Sequence, residues 1–488
     1  MVNTRDIPRL GDRRASWETE GWGDGMSYTA GAARVDLTPP LTIPYLGGIP
    51  RHSPYFGVHD ALHARAVAFG EVGGETVIVI AVDALGINND ILGPGRDFTA
   101  EVRSAVEQAT GVPPTHVMIA SSHTHSSPET GDVRPLLDTP GADAWLAEYA
   151  DQLVTAAVQA FEDRRPVTAR RGSGDVVRGT LAVNRGSWAY PDPAAAPDDP
   201  EVSVLVLEAP DWCAVLYNFA THPVIVQVQP YASADFPGVS SDFVERNVPG
   251  CRAALFLQGA CGNLAPPPDP LTHDGWAWRS PFDAEYELVP ENVRDAFAHT
   301  ERLGMALGTR VVEIVQGADA PVSGPVAALA EQLDVASREL PERAPFQEEL
   351  DARTRALADA IAADAPKATI VALTEQVQET EEQLVAIDRG TDPISAEVQV
   401  LRLGDVALAG LPGEPFVELG LALKDLSHDE RHVVPVGYAN DYLGYLTDPD
   451  AWDRPIYEVS LGAWTRIGRF GGSGLTALAA DLVDRLWS

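Results

Sequence analysis

The run Thr76-Val-Ile-Val-Ile-Ala-Val82 is apolar from its second residue to its last and stops at Asp83. Side chains alternate between the two faces of a strand, so an unbroken apolar run leaves neither face for water. It predicts a central strand covered on both sides. A second run of the same kind, Val117-Met118-Ile119-Ala120, opens into Ser121-Ser122-His123-Thr124-His125-Ser126-Ser127-Pro128. Residues 99–110, between the two, carry the period of an amphipathic helix. Buried strand, helix and buried strand in succession predict an α/β fold with a mixed central β-sheet flanked by helices.

The rest of the chain keeps that rhythm. Strands are expected at 28–40, closed by Pro39 and Pro40, at 57–69, near 169–171 and 180–183, and as a hairpin over 202–208 and 213–220. Further strands are expected at 253–257, 398–403, 406–409 and 433–436, and helices at 143–161, after Gly238 and at 293–316. Residues 342–386 are rich in Ala, Glu and Leu with a helical period broken at Ala365-Pro366. They read as a helical insertion, a lid or a scaffold set on the sheet. The expected organisation is a polar N-terminal tail, 1–27, and a single domain over 28–488.

Charge excludes two partner classes. Against 71 acidic residues stand 35 basic ones, for a formal charge of −36. Such a surface repels nucleic acid and anionic membrane. The N-terminal residues lack the apolar core of a signal peptide, and no run is long enough to span a bilayer, so a soluble cytoplasmic protein is expected. The three cysteines, Cys213, Cys251 and Cys261, include no C-x-x-C pair, which argues against a disulfide framework or a cysteine-rich zinc knuckle.

Several residues stand where α/β sheets place their chemistry, at strand ends. On an extended backbone His123 and His125 project to one side and present two imidazoles, the commonest metal ligands, to one point. His222 ends the 213–220 strand just before Pro223, and Glu414 lies among glycine and proline in Leu411-Pro412-Gly413-Glu414-Pro415. A carboxylate held there is a potential ligand, or a solvated turn residue. Asp83 either supports a site or caps its strand. Arg185, Cys261 and the aromatic stretch from Tyr438 through Tyr445 to Tyr457 each have a plain structural reading as well. The glycine-rich turn Gly259-Ala-Cys-Gly262 is a place for backbone N–H groups to face a ligand, although it lacks the ending of a P-loop.

Taken in order, the segments A-G-A-A-R-V-D-L-T-P-P, S-H-T-H-S-x-P, V-N-R, T-H-P, S-A-D-F-P-G, Q-G-A-C-G-N-L-A-P, L-P-G-E-P-F and N-D-Y-L-G-Y-L-T resemble the catalytic domain of the neutral ceramidase family of zinc amidases, over residues 28 to 470. The resemblance implies Zn²⁺ held by His123, His222, Glu414 and Tyr445. It also implies that His125, Arg185 and Tyr457 line the site and contact the substrate or its reacting carbonyl. The implied chemistry is metal-assisted hydrolysis of the C–N bond of an N-acylated amine. His125 would act as proton donor to the leaving amine, and Tyr457 or Arg185 would stabilise the oxyanion or bind a substrate anion. The partner implied is a small-molecule or lipid-like amide. Two departures bear on specificity. Ala265 stands where the family usually has Ser, and neither a secretory signal nor a C-terminal immunoglobulin-like domain is read here. Preference for a small, soluble N-acyl amine over long-chain ceramide is therefore expected. A zinc esterase or lactonase on the same ligands, and a non-catalytic binding protein on the same fold, are the rival readings.

Overall fold

The structure is a computed structural model and describes residues 28–48, 50–131, 133, 136–268 and 280–488. The 1–27 tail lies outside the described residues.

The Thr76–Val82 strand lies inside a large mixed sheet. Going outward, it pairs antiparallel with His63–Glu71, which pairs antiparallel with Tyr28–Asp36. Beyond come Arg165–Asp175, Glu201–Ala209 and Trp212–Phe219, all antiparallel, and then Cys251–Gln258, parallel to the last. On its other side Thr76–Val82 runs parallel to Val117–Ser121. The two parallel pairs lie at opposite edges of the sheet, and each is joined by a crossover that contains a helix.

The alternation inside the apolar run explains its composition. Ile78, Ile80 and Val82 face helices α1 (Phe98–Thr110) and α2 (Ala142–Glu162), where they meet Phe98, Leu146 and Leu153. Val77, Val79 and Ala81 face the other way, onto Leu401, Leu403, Leu408 and Val436. These belong to a second sheet, Val326–Val335, Ile394–Leu403, Val406–Gly410 and His432–Val436, with its last pair parallel. The α/β class and the mixed central sheet are as expected. One face of that sheet, however, is covered by another sheet instead of helices, and apolar runs read the same against either cover. Helices α3 (Asp235–Asn247) and α4 (Pro290–Gly317) cover the 201–258 part of the large sheet. Helices α7 (Val417–Lys424) and α8 (Gly471–Trp487) close the outer face of the small one. The layers run helix, sheet, sheet, helix.

Some local expectations need correction. Residues 57–69 form two strands, Gly57–Val58 and His63–Glu71. Asp235-Phe-Pro237-Gly238 lies inside the first turn of α3, where a missing proline N–H has no helical partner to lose. The helical insertion is a hairpin of α5 (Arg343–Ala362) and α6 (Lys367–Asp388), broken at 363–366 and placed between two strands of the small sheet. α5 buries no residue, whereas α6 buries Val377, Thr380, Glu382, Leu384 and Ala386. No helix among the described residues is long and apolar enough to cross a membrane.

Candidate metal centre

His123 does not arrive by extension of its strand. The strand stops at Ser121, and His123 sits at φ 69°, the left-handed region that side chains with a Cβ avoid. A conformation of that kind costs of order 1–3 kcal/mol and persists where the surroundings fix it. Here the Ser122 and His123 N–H groups donate to the Val82 and Ala84 carbonyls, each at 2.8 Å. The kink sets the His123 and His125 rings edge to face, 4.6 Å apart, with their Nε2 atoms at 3.1 Å. The expected convergence is present, produced by a turn and not by the pleat.

His222 follows the Trp212–Phe219 strand, and the glycine-rich turn after Cys251–Gln258 fixes its ring. Nδ1 of His222 donates to the Cys261 carbonyl (2.7 Å) and the Leu264 carbonyl (3.0 Å). Nδ1 of His123 donates likewise to the Leu85 carbonyl (2.5 Å). A carbonyl only accepts, so each Nδ1 carries the proton. Burial, and then the Arg185 charge, push the His222 pKa down to about 4, so at neutral pH its Nε2 is a bare lone pair. That lone pair lies 3.1 Å from Oε2 of Glu414, and the His123 Nε2 lies 3.3 Å from the same oxygen. Burial alone would raise the Glu414 pKa. Its pKa is nonetheless held well below the usual range by positive charge and hydrogen bonding at the His123 and His222 Nε2 positions, the place where a cation would sit.

Glu414 is set by the aromatic loop from which the sequence singled out Tyr445 but gave no role to Tyr438 or Tyr442. Tyr442 donates to its Oε1 at 2.6 Å and Tyr438 to its Oε2 at 3.4 Å, while the Tyr438 ring stacks on His123 at 4.2 Å. Asn440 anchors the loop to the Val117–Ser121 strand by accepting from the Ile119 N–H (2.9 Å) and donating its own N–H to the Ile119 carbonyl (2.8 Å). Tyr445 is the Cα partner of Glu414 across a two-residue parallel ladder. Its hydroxyl accepts from Arg185 at 2.7 Å. Arg185 in turn donates Nε to Glu458 (2.6 Å) and Nη2 to the Gly262 carbonyl (2.7 Å). Glu458, only 2% exposed, is a site residue that the sequence reading passed over. Nothing in its spacing marks it, because its partners lie far away along the chain.

The seven residues that the resemblance places at the site lie close together. His123, His222, Glu414 and Tyr445 are buried. His125 is half-buried, its pKa held well below the usual imidazole value by burial and then by the other two histidines. Tyr457 is half exposed at the mouth, stacked on Trp464 (5.2 Å) and edge-on to Tyr445 (6.2 Å). Asp83 belongs to a different network, with Arg65 and the His63 N–H. Cys261 is fully buried against the Tyr438 hydroxyl, and burial pushes its thiol pKa up, so the structural reading holds for it. The N–H groups of Gly259 and Gly262 bond to the Phe219 and Pro415 carbonyls, so this turn serves the site through its carbonyls. A cavity of about 590 Å³ lined by Thr180, Leu181, His299 and Arg302 contains none of the seven.

The donor set fits a divalent metal ion. The nitrogens of His123, His125 and His222 lie within 4.8 Å of one another, and the Glu414 carboxylate joins two of them. Lone pairs brought this close without a shared proton repel unless a cation sits among them. Both orienting Nδ1 bonds leave the coordinating nitrogen bare, as a ligand must be.

No family model matches the chain. It is 24% identical over 490 aligned positions to the neutral ceramidase of Mycobacterium tuberculosis, covering 88% of this chain and 72% of that protein. It is 24% identical over 501 positions to the neutral ceramidase of Pseudomonas aeruginosa, covering 91% and 70%. The crystal structure of the Pseudomonas aeruginosa enzyme superposes with a TM-score of 0.70 at 20% identity, over 95% of this chain and 75% of that one. A ceramidase complexed with C2 gives 0.69 at 19%, over 94% and 75%. With fold and sequence agreeing over nine-tenths of its length, the chain is an enzyme that resembles the neutral ceramidases.

Proposed function

We propose that the protein is a zinc-dependent amidohydrolase that splits the C–N bond of an N-acylated amine, with His123, His222, Glu414 and Tyr445 holding the metal. The observation that carries this reading is the set of three Nδ1–carbonyl bonds that aim the Nε2 atoms of His123 and His222 at one carboxylate oxygen. Two imidazoles and a carboxylate suit zinc, which when bound supplies a Lewis acid for the scissile carbonyl and for the attacking water.

The protein groups have separable tasks. His125, neutral and half-buried beside His123, is placed to take the proton from water and then to hand it to the leaving amine. Arg185 has its charge matched by Glu458 and its Nη2 on the Tyr445 hydroxyl. That geometry supports positioning of Tyr445 over capture of a substrate anion. Tyr457, half exposed at the mouth, is placed to donate to the carbonyl oxygen as charge develops there. The Tyr457–Trp464 stack, with Arg51 5.6 Å above the Trp464 ring, forms an amphipathic rim suited to a lipid-like amide.

The name shared by the relatives makes ceramide a natural candidate substrate. Ala265, buried in a short ladder opposite Val183 and near Arg185, lacks a hydroxyl and favours a shorter N-acyl amine. The test is metal analysis of the purified protein, followed by competition between short-chain N-acyl amines and long-chain ceramide in detergent micelles, scored by kcat/KM. Amide hydrolysis with stoichiometric zinc is expected. Absence of zinc after reconstitution, or turnover of the matched ester alone, overturns the reading.

A further inference from the structure

Cys213 and Cys251 stand far apart in the sequence yet are Cα partners at the start of two adjacent parallel strands. The Cys213 N–H donates to the Gly250 carbonyl at 2.9 Å. Gly250, at φ 74°, lets this turn lie against Asp211 and Trp212, whose backbone atoms a Cβ would meet at 3.2 Å. Both side chains pack in the same core cluster, so they point to the same face of the sheet, and the Cys251 thiol donates to the Ala253 carbonyl at 3.5 Å. Neighbouring strands run about 4.8 Å apart, within the roughly 4.4–6.8 Å Cα range that a disulfide spans. The register shift between Cys251 and Ala253 gives the second strand local slack.

We propose that Cys213 and Cys251 are a reversible dithiol–disulfide site that takes a small-molecule disulfide as its oxidant. Cys251 is partly exposed and Cys213 is buried, which sets the order of events. The Cys251 thiolate attacks one sulfur of the small disulfide, forming a mixed disulfide and releasing one small thiol. The Cys213 thiolate then attacks the Cys251 sulfur and releases the second. Two protein thiols are oxidised, one small disulfide is reduced to two thiols, and no other oxidant enters. The neighbouring Cys213 thiol and then burial raise the Cys251 pKa, so exchange is slow at neutral pH and quickens as pH rises.

The location gives the bond a purpose. The Trp212–Phe219 strand leads to His222, and the Cys251–Gln258 strand leads to the turn whose carbonyls orient that histidine. A bridge at their other end ties together the two strands that set a proposed ligand, without touching the ligand.

The full chain is incubated with oxidised glutathione under native conditions, then digested without reduction and mapped by mass spectrometry. The expected result is a Cys213–Cys251 linked peptide, with the buried Cys261 still a free thiol and a Tm about 2–5 °C above the reduced form. The Cys213→Ala variant should stop at glutathione on Cys251 and show no Tm gain. A persistent glutathione adduct on Cys251 in the unsubstituted protein overturns the proposal. So does no consumption of thiol, a link that forms only after unfolding, or a link from Cys251 to Cys261 in place of Cys213.

Discussion

Glu414 and Tyr445 are Cα partners in a parallel ladder only two residues long, so their side chains leave the same face side by side. Each is then held from behind by different groups, Glu414 by Tyr438 and Tyr442 and Tyr445 by Arg185. The site is thus a pair of neighbours with separate supports, and the supports can be removed one at a time.

Substitutions in the cluster should separate metal ligands from proton carriers. His222→Ala and Glu414→Gln are expected to lose both metal and activity. Tyr442→Phe keeps the ring and removes only the bond to Oε1, so metal affinity should fall by about 10–100-fold. His125→Ala should keep its metal and lose roughly 10²–10⁴-fold in kcat, the usual range for a lost acid or base. Metal content by elemental analysis, beside steady-state rates, decides it. A His125→Ala protein that loses metal as His222→Ala does would place His125 among the ligands.

Glu458 acts on the site only through Arg185. Glu458→Gln keeps an acceptor but leaves the guanidinium uncompensated, and breaking such a buried pair costs about 3–5 kcal/mol. The expected signature is a fall in kcat of about 10-fold or more with KM little changed, and partial recovery in Glu458→Asp. An equal rise in KM would instead mean that Arg185 binds substrate directly.

The hairpin of α5 and α6 is fastened to Arg51 by two residues of α6, Gln378, which donates to the Arg51 carbonyl (2.9 Å), and Glu382. Glu382, with no exposed side-chain surface, accepts from Arg51 (3.0 Å) and lies 3.4 Å from His52 Nε2. Arg51 is 41% exposed, so solvent screening reduces the pair to about 1–2 kcal/mol. Glu382→Ala should speed limited proteolysis within 336–393 and alter KM more than kcat. Unchanged cleavage would show that Val377, Leu384 and Ala386 hold the hairpin without the ion pair.

Asp235, fully buried at φ 53°, has its pKa pushed up to about 7 by burial, partly opposed by the Phe236 and Val226 N–H groups. An acid with a raised folded pKa binds its proton more tightly folded than unfolded. Stability should therefore fall as pH rises between about 4 and 7, with a slope approaching 1.4 kcal/mol per pH unit from this group. Asp235→Asn tolerates the positive φ and cannot ionise. It should be less stable by about 1–3 kcal/mol, because an amide N–H then faces a backbone N–H, but with a flatter profile. Denaturant titrations across that pH range measure the slope.

The sequence by itself determined which runs are covered on both faces and where along the chain the candidate chemistry lies. Runs such as Thr76–Val82 can only lie between two covered faces, and His123, His222 and Glu414 stand at or just beyond strand ends. Helix limits were legible to within a few residues, because the 3.6-residue period and its end signals are local properties. Tertiary structure alone decided that the second cover is a sheet, since burial leaves the same apolar mark against a strand as against a helix. It also decided that His123 turns through a left-handed kink, that Tyr438 and Tyr442 brace a carboxylate, that Glu458 reaches Arg185, and that Cys213 meets Cys251. Each of those contacts joins segments distant in the chain, and no periodicity along one segment encodes which partner will face it across a sheet.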